Sequence, residues 1–320
     1  MIGGCVELRI LTTEAGRHLA QAVCSHLEKQ LTEVNHKRFT DGEYVPQIKE
    51  NIRDTHTVLL SPTCPPTDHN LMDAMILGDA IVRAAPARFT MVFPYWGYNR
   101  QDRKDRPRVP LTAKLASDIV SLLCPTNVLL FDVHSEATLG YFHRAVKVDH
   151  LYSAAVSVAR LRELVQPPFV VAGPDKGSGA RAAYYARLLG QERYVLFEKR
   201  RGPDGKVDPT HSKVIGDVSG CDVILVDDFV DTGGTVNVAA ETALKAGARN
   251  VYLFATHGLF SGDSIPNLNA GGIAKVVVTD SVYHDPAKLG AKIETLSVAG
   301  FLAEAVLRIH EGKSLSELIP

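Results

Sequence analysis

Short apolar runs, separated by longer amphipathic stretches, limit this chain to a small number of folds. Seven runs rich in Val, Leu, Ile and Phe have the length of strands that are buried on both faces of a parallel sheet. These runs lie at residues 57–61, 89–93, 128–132, 169–172, 223–227, 251–255 and 275–279. Because strands that alternate with helices form βαβ units, the pattern predicts an α/β protein with doubly wound parallel sheets.

The stretches between the runs have the periodicity of helices. Within residues 14–30, Leu19, Val23 and Leu27 recur every four positions and so fall on one stripe of a helix. A second helix is expected over residues 234–246, because a glycine, the usual residue at the end of a helix, follows it directly.

The length of the chain, 320 residues, favours two domains, since one domain has roughly 100–200 residues. The segments 128–132 (VLLFD) and 223–227 (VILVD) are alike, each an apolar strand that ends in an acid. We therefore expect two similar α/β domains, at residues 1–149 and 150–320, with the boundary near residues 148–152.

The charges are balanced, with 35 Lys and Arg against 36 Asp and Glu and a net charge of −1. This balance argues against a protein that mainly coats nucleic acid or an anionic membrane. The sequence shows no apolar stretch of about 18 residues and no signal-peptide pattern. The five cysteines are odd in number and lack Cys-x-x-Cys spacing, so reduced thiols are expected. Together these features predict a soluble cytoplasmic protein with no membrane or nucleic-acid partner.

The segment VILVDDFVDTGGTV, residues 223–236, carries the strongest sign of a ligand site. Asp227 and Asp228 are expected to emerge at the carboxyl end of a strand, the edge at which open α/β sheets bind ligands. A short loop then leads into a helix with Asp231, Thr232, Gly233, Gly234 and Thr235. Helix N-terminal N–H groups bind phosphate, and the acids suit ribose hydroxyls or a cation, so the segment predicts a sugar 5-phosphate site. A capped turn that binds nothing is the alternative interpretation.

The same segment resembles the phosphoribosyl-diphosphate-binding motif shared by phosphoribosyltransferases and ribose-phosphate diphosphokinases. Residues 38–43 (RFTDGE) resemble the adenine site of the diphosphokinases. The resemblance implies that Phe39 stacks on adenine, that Asp41 and Glu43 accept from its amino group, and that Gly42 belongs to this ATP site. It also implies that the loop reaches ATP held by a neighbouring subunit. Taken alone, the Asp-Gly step predicts only a turn.

Residues 93–115 (FPYWGYNRQDRKDRPRVPLTAKL) closely resemble the Pro-Tyr-x-Gly-Tyr-x-Arg-Gln-Asp-Arg run of the diphosphokinases. Five cations follow a predicted strand in this segment: Arg100, Arg103, Lys104, Arg106 and Arg108. Such a loop can hold a triphosphate through charge-assisted hydrogen bonds, although a charge cluster is usually a solvated surface. The resemblance implies that Arg100 and Gln101 contact ATP directly.

Two further segments resemble the magnesium-binding parts of that family. In FDVHSEATLGYF, Asp132 and His134 are expected on one face at a strand end. The resemblance implies that His134 helps to hold Mg²⁺, with Asp132 as a second candidate, whereas by residue type alone His134 is a structural residue because Mg²⁺ prefers oxygen. In GPDKGSGAR, the resemblance implies Asp175 as a ligand, and Ser178 stands where the family has a glycine.

Residues 197–202 (FEKRRG) resemble the Asp-Lys-Arg-Arg segment of the family. The resemblance implies that Lys199 and Arg201 are the catalytic pair and that Arg201 also contacts ribose 5-phosphate. Their charge suits a phosphoryl transition state, and a basic surface turn is the alternative. The polar residues 200–213 predict a mobile loop, and residues 256–262 (THGLFSG) match the family without suggesting any chemistry.

On these motifs the chain is identified as a member of the ribose-phosphate diphosphokinase family. Membership implies two similar domains of phosphoribosyltransferase type, ATP and ribose 5-phosphate as substrates, Mg²⁺ as cofactor, and a homo-oligomer, either a hexamer or a dimer. The implied reaction is attack of the ribose 1-hydroxyl on the β-phosphorus of ATP, which gives 5-phosphoribosyl 1-diphosphate and AMP. A phosphoribosyltransferase and a non-catalytic regulatory subunit are the alternative functions.

Overall fold

Every apolar run identified in the sequence forms a strand in the computed structural model, which describes residues 6–201 and 207–320. The side chains of residues 199–201 and 207–212 are outside that description. The chain divides into two units, the first formed by residues up to Tyr152 together with 281–283 and 298–319. The second unit consists of residues 153–280 and 284–297 with Pro320. The predicted α/β class is confirmed for both.

From residue 6, where the description begins, to residue 152 the first unit has seven strands and three α-helices. The strands are β1 (Leu8–Thr12), β2 (Val34–Arg38), β3 (Tyr44–Ile48), β4 (His56–Leu60), β5 (Arg88–Phe93), β6 (Asn127–Phe131) and β7 (Lys147–Leu151). The helices are α1 (Arg17–His26), α2 (Thr67–Arg83) and α3 (Thr112–Ser121). Strands β1, β4, β5, β6 and β7 form, in the order β1-β4-β5-β6-β7, a parallel sheet. All five residues of β4 are buried, as expected for a strand covered on both faces.

The hairpin of β2 and β3 is a separate two-stranded sheet that the apolar runs did not predict. Strand β2 is mostly polar and alternates between half-buried and exposed positions, and in β3 Pro46 and Gln47 interrupt the apolar residues. Such a pattern lacks the continuous apolar run by which β4, β5 and β6 were identified. Only its turn, at the Asp-Gly step, was expected from the sequence.

The described residues of the second unit form seven strands in one sheet and five α-helices. The strands are β8 (Phe169–Gly173), β9 (Tyr194–Arg201), β10 (Val207–Ile215), β11 (Asp222–Val230), β12 (Asn250–Gly258), β13 (Lys275–Thr279) and β14 (Ile293–Leu296). The helices are α4 (Ala154–Leu164), α5 (Gly179–Leu188), α6 (Gly234–Lys245), α7 (Ser264–Ala270) and α8 (Pro286–Leu289). The order is β10-β9-β8-β11-β12-β13-β14, parallel except that β10 pairs antiparallel with β9.

Strand β11 shows why this sheet is covered on both faces. Val223 and Leu225 belong to one cluster of buried side chains, and Ile224 and Val226 belong to another. Because successive side chains of a strand point to opposite faces, the four-residue apolar run contributes to two cores at once.

The predicted mobile loop over residues 200–213 is wrong in part. Residues 200 and 201 end β9, and residues 207–213 belong to β10, which lies at the edge of the sheet. An edge strand pairs on one side only and remains open to water on the other, so polar residues are compatible with it. Composition alone therefore did not distinguish this strand from a loop.

The last long helix, α9 (Ala299–Glu311), belongs to the first unit, although the sequence places all of residues 150–320 in the second domain. Its buried side chains include Leu302, Val306 and Ile309, and it packs against α1. A Cβ atom at Gly300 would lie 3.3 Å from the His26 ring, which shows how closely the two helices approach. The apolar stripe of α1 is thus covered by residues distant in sequence.

No helix in the described ranges has both the length and the apolar character needed to cross a membrane. Among the described cysteines, Cys24, Cys64, Cys124 and Cys221 are free. Burial raises the pKa of the Cys24 and Cys64 thiols to about 11, so both are neutral near pH 7.

Candidate active site

Asp227 and Asp228 lie within strand β11, because the strand continues to Val230. Both acids therefore lie near the carboxyl end of the strand, three and two residues before its last residue. Asp227 is paired in register with Ala255 of β12, which holds the backbone at the first acid. Asp228 is 6% exposed, whereas Asp227 is half-buried. The backbone that carries the two carboxylates therefore belongs to the sheet and not to a loop.

A short loop connects β11 to α6 and contains the predicted phosphate-binding residues. Gly233 is the N-cap of α6 with φ 78° and ψ −6°, a left-handed conformation that glycine adopts without steric cost. Thr232 and Gly234 are exposed, and Asp231 and Thr235 are half-buried. Since the first N–H groups of a helix have no intrahelical acceptor, this twelve-residue helix presents donors suited to a phosphate group.

Carboxylates concentrate around Asp227. Burial and the charge of Asp228 raise the pKa of Asp227 well above its usual range, and Asp175 acts in the same direction. The Arg181 guanidinium opposes this shift. Three acids thus outnumber the one cation beside them, so Asp227 lies in a surplus of negative charge.

Asp175 lies in the loop between β8 and α5, and its carboxylate organises that loop. Its Oδ1 accepts from the N–H groups of Gly177 (2.8 Å) and Ser178 (3.2 Å). The Ser178 hydroxyl donates to the Asp175 carbonyl at 2.9 Å. Ser178 has φ −85°, so its backbone does not require the glycine that the resemblance leads one to expect.

In the first unit, the loop after β5 forms a polar pocket of about 190 Å³. Its lining consists of Arg100, Gln101, Asp102, Arg103, Asp105, Arg106, Val109, Pro110 and His134. The structure thus brings His134 together with two of the predicted ATP-binding residues, Arg100 and Gln101. Three arginines at one pocket suit the oxygens of a polyphosphate.

Gln101 is fixed by three hydrogen bonds. Its N–H donates to the Tyr98 carbonyl (3.2 Å), and its carbonyl accepts from Ala113 (3.1 Å). The Thr112 hydroxyl donates to the side-chain Oε1 of Gln101 at 2.6 Å. With the carbonyl oxygen of its amide occupied by Thr112, Gln101 can offer the two N–H donors of its amide to a ligand.

Asp132 and His134 do not share a strand face, and that expectation is wrong. Strand β6 ends at Phe131, and Asp132 has φ +47°, so the alternation of a strand stops there. Asp132 is 1% exposed, whereas His134 is exposed and lines the pocket. His134 and not Asp132 is therefore accessible to a ligand in that pocket.

The adenine-site candidates occupy the exposed tip of the β2–β3 hairpin. The Phe39 N–H donates to the Glu43 carbonyl (2.9 Å), and the Glu43 N–H donates to Asp41 Oδ1 (3.0 Å). Gly42 has φ +95°, which this turn requires of its fourth residue. The Phe39 ring is 46% exposed, with the Lys37 ammonium 4.7 Å from its centre. An exposed aromatic ring on a well-ordered turn is available for stacking.

The hairpin is anchored to α2 at the strand pair next to its turn. Arg38 forms an ion pair with the buried Asp73, and its guanidinium lies 4.6 Å from the centre of the Tyr44 ring. His36 Nδ1 is 2.6 Å from the Tyr44 hydroxyl oxygen. Burial lowers the pKa of His36 and raises the pKa of Tyr44. The hairpin is thus fixed directly beside its exposed tip.

The catalytic candidates Lys199 and Arg201 have side chains outside the described residues. Their backbone belongs to β9, at the end of which Val207 of β10 pairs with Arg201. Glu198, which precedes them, forms an ion pair with Lys176 at 2.6 Å.

Sequence reasoning missed two residues that the structure places in the site. Arg181 lies in the first turns of α5, close enough to Asp227 to influence its ionisation. Thr112 begins α3 and holds the Gln101 side chain. Each stands within a motif that was quoted, GPDKGSGAR and PLTAKL, but a single Arg or Thr carries no spacing signal of its own.

Comparisons with known proteins match both ends of the chain. A family model described as the N-terminal domain of ribose phosphate pyrophosphokinase matches residues 8–123, and one described as a phosphoribosyl synthetase-associated domain matches residues 203–320. The ribose-phosphate pyrophosphokinase of Pasteurella multocida (strain Pm70) is 39% identical over 98% of this chain and 99% of its own length. That of Caldanaerobacter subterraneus subsp. tengcongensis is 39% identical over 98% of each.

A solved structure shows the same fold. Phosphoribosylpyrophosphate synthetase from Mycobacterium smegmatis superimposes with a TM-score of 0.89 and 28% sequence identity. The match covers 96% of this chain and 99% of that structure. The similarity therefore extends over both units rather than one motif.

Proposed function

This chain belongs to the ribose-phosphate pyrophosphokinase family, and we propose that it transfers the diphosphoryl group of ATP to the 1-hydroxyl of ribose 5-phosphate. The chain is an enzyme, and its products are 5-phosphoribosyl 1-diphosphate and AMP for nucleotide biosynthesis. The observation that carries this proposal is the pairing of two polyanion sites in one chain. One is the phosphate loop before α6, and the other is the arginine-lined pocket after β5.

The phosphate loop binds the 5-phosphate of the sugar. Donors come from the backbone of residues 231–235 and from the hydroxyls of Thr232 and Thr235, with the N-terminus of α6 behind them. Asp227 and Asp228 accept from the ribose hydroxyls. Binding of these hydroxyls supplies hydrogen-bond donors to two acids that are otherwise close together.

The pocket after β5 binds the phosphates of ATP. Arg100 supplies charge, and Gln101 supplies amide donors whose direction is set by Thr112. The exposed hairpin residues Phe39, Asp41, Gly42 and Glu43 hold adenine for a neighbouring copy of the chain. The exposure of the Phe39 ring supports a role outside its own subunit, and the assembly is a homo-oligomer, a hexamer or a dimer.

Mg²⁺ is the proposed cofactor, and the donors at both sites suit it. In the first unit His134 lines the pocket with Asp102 and Asp105, and in the second Asp175 lies near Asp227. In the described ranges no three His, Cys, Asp or Glu side chains form a complete metal site. Mg²⁺ is usually held by one or two carboxylates together with substrate phosphates. The protein therefore needs to supply only some of the ligands of the ion. When bound, the ion neutralises phosphate charge.

The transfer itself depends on positioning and on positive charge. Lys199 and Arg201 neutralise charge on the transferred group, and Arg201 also contacts ribose 5-phosphate. The proton of the 1-hydroxyl leaves as its oxygen bonds to the β-phosphorus and the bond from that phosphorus to the AMP oxygen breaks.

A cytoplasmic location is proposed from the cysteine pattern of the sequence.

The test is ³¹P NMR of the purified protein with ribose 5-phosphate, ATP and Mg²⁺, beside Lys199→Ala. We expect AMP and a C1-diphosphate signal in equal amounts. The rate in the variant should fall about 10²–10³-fold, as when one preorganised donor is lost. Release of ADP would contradict attack at the β-phosphorus. Absence of turnover with ATP still bound would indicate a non-catalytic subunit instead.

A further inference from the structure

One motif singled out in the sequence, residues 256–262 (THGLFSG), has no part in the proposed chemistry. In the structure it covers the end of β12 and the turn after it, directly beside the phosphate loop. We infer that residues 258–261 form a backbone template that sets the direction of the N–H groups in the phosphate loop. The inference rests on the proposed function, because it assigns these donors to the 5-phosphate.

Three N–H groups of the template hold two carbonyls of the loop. The N–H groups of Leu259 and Phe260 donate to the Val230 carbonyl at 2.8 and 3.3 Å. The N–H of Ser261 donates to the Asp231 carbonyl at 3.2 Å. The register between β11 and β12 ends where Val230 pairs with Gly258. The three hydrogen bonds therefore hold the start of the phosphate loop past the end of the sheet.

These bonds determine where the next N–H groups point. In a trans peptide the carbonyl and the following N–H lie on opposite sides of the chain. Since the carbonyls of Val230 and Asp231 face the template, the N–H groups of Asp231 and Thr232 point away from it. Two donors are thus aligned before a ligand arrives, which lowers the ordering cost of binding a phosphate.

The template itself is held in an unusual conformation. Phe260 has φ +49°, in the left-handed region that is unfavourable for a bulky L-residue. His284 donates from Nε2 to the Gly258 carbonyl at 2.7 Å, and its ring lies 4.9 Å from that of Phe260. Strained backbone of this kind collects at functional sites, where surrounding contacts maintain it. The backbone of residues 258–261 accordingly does the positioning, with His284 holding it at the Gly258 carbonyl, whereas the Phe260 ring itself takes no part in directing the loop.

Gly258 offers a precise way to disturb the template. A Cβ atom there would lie 2.6 Å from Cε2 and 2.8 Å from Cζ of Phe260, so the ring must move. Gly258 ends β12 and has strand backbone that alanine also adopts, so the ring contact is the main cost of Gly258→Ala. Leucine at position 260 lacks both clashing atoms, and Phe260→Leu should therefore relieve the contact.

The experiment compares Gly258→Ala, Phe260→Leu and the double variant by steady-state kinetics and by calorimetric titration with ribose 5-phosphate alone. For Gly258→Ala we expect KM and Kd for ribose 5-phosphate to rise about tenfold, the effect of roughly one charge-assisted hydrogen bond. The KM for ATP should stay within about twofold. In the double variant both values for ribose 5-phosphate should return to within about twofold of the parent, as in Phe260→Leu alone.

Gly262→Ala is the matched control in the same turn. Its Cβ would meet no atom within 4 Å, although its φ of +59° is unfavourable for alanine. We expect a lower melting temperature with an unchanged KM for ribose 5-phosphate. An unaltered KM in a folded Gly258→Ala protein, or no recovery in the double variant, would overturn the inference. Failure of the parent to turn over these substrates would instead refute the proposed function.

Discussion

The ionised form of Asp227 suits the proposed binding of ribose hydroxyls, whereas its neutral form suits folding. Burial and the neighbouring Asp228 raise the pKa of Asp227, so the folded protein disfavours its ionised form. A carboxyl whose pKa is higher in the folded than in the unfolded state contributes stability at low pH, and that contribution is lost as the pH rises. Near neutral pH Asp227 therefore destabilises the unliganded protein.

Asp227→Asn should accordingly raise the melting temperature of the unliganded protein at pH 7.5, by about 2–4 °C for each kcal/mol gained. Activity should fall, because the acceptor for the ribose hydroxyls is weakened. Thermal unfolding and AMP release measure the two effects. Asp263→Asn is the control, because Asp263 is exposed and makes no cap hydrogen bond, and its melting temperature should not change. A lower melting temperature in Asp227→Asn would contradict the argument.

We expect Thr112 to affect ATP binding through Gln101, because its hydroxyl holds the Gln101 side chain. Thr112→Val removes the hydroxyl that holds the Gln101 amide, so we expect the KM for ATP to rise about three- to tenfold with kcat little changed. Thr112→Ser keeps the donor and should resemble the parent. Steady-state kinetics at saturating ribose 5-phosphate provide the measurement.

A double-mutant cycle separates this role from a general effect on α3. If Thr112 works through the amide, Thr112→Val should have no further effect on the KM for ATP in a Gln101→Ala background. Additive effects of the two substitutions would show that the hydroxyl acts elsewhere.

Among the elements, α9 is joined to the first sheet by a pair of histidines. His56 Nδ1 lies 3.0 Å from His310 Nδ1, and His56 Nε2 lies 2.9 Å from the Thr90 hydroxyl. The Arg88 guanidinium donates to the His310 carbonyl at 2.8 Å. Burial, Arg88 and His310 lower the pKa of His56 to about 3. The pKa of His310 is also lowered, by burial, Arg88 and Lys29 against Glu311.

These shifts predict an acid-sensitive attachment of α9. Between about pH 6.5 and 3 the unfolded chain binds protons that the folded chain excludes, so stability falls as the pH falls through this range. The slope is about 1.4 kcal/mol per pH unit for each such proton. His56→Gln should reduce this slope in denaturant unfolding between pH 7.5 and 4.5, whereas the exposed His143→Gln should not. Equal slopes in all three proteins would contradict the prediction.

The elements also show what the sequence could and could not predict. Strands such as β4 and β11 were identified because every residue of their apolar runs is buried in a core. Strands β2, β3 and β10 were among those missed, because their pairing with a partner and not an apolar run makes them strands. The phosphate loop was predicted from the spacing of its residues. The exposure of His134 and the burial of Asp132 were not, because the strand alternation stops at Asp132, whose backbone is left-handed.

For the whole molecule, the proposed sharing of the hairpin between subunits has a direct test. Phe39→Ala and Lys199→Ala should each be nearly inactive, one for lack of an adenine contact and one for lack of a catalytic cation. Oligomers assembled from equal amounts of both should recover about a quarter of the parental activity, since that share of composite sites contains neither substitution. Light scattering gives the size of the assembly. Activity no higher than the sum of the separate variants would contradict a shared site.

The return of α9 to the first unit affects the order in which a growing polypeptide can complete its parts. Every strand of the second unit precedes residue 298, so that sheet can be complete before the ribosome has made α9. The unit that is begun first is therefore finished last, in contrast to the usual order of domain folding during synthesis. Until α9 arrives, nascent chains expose the apolar stripe of α1, and translation that stops before residue 298 leaves it exposed.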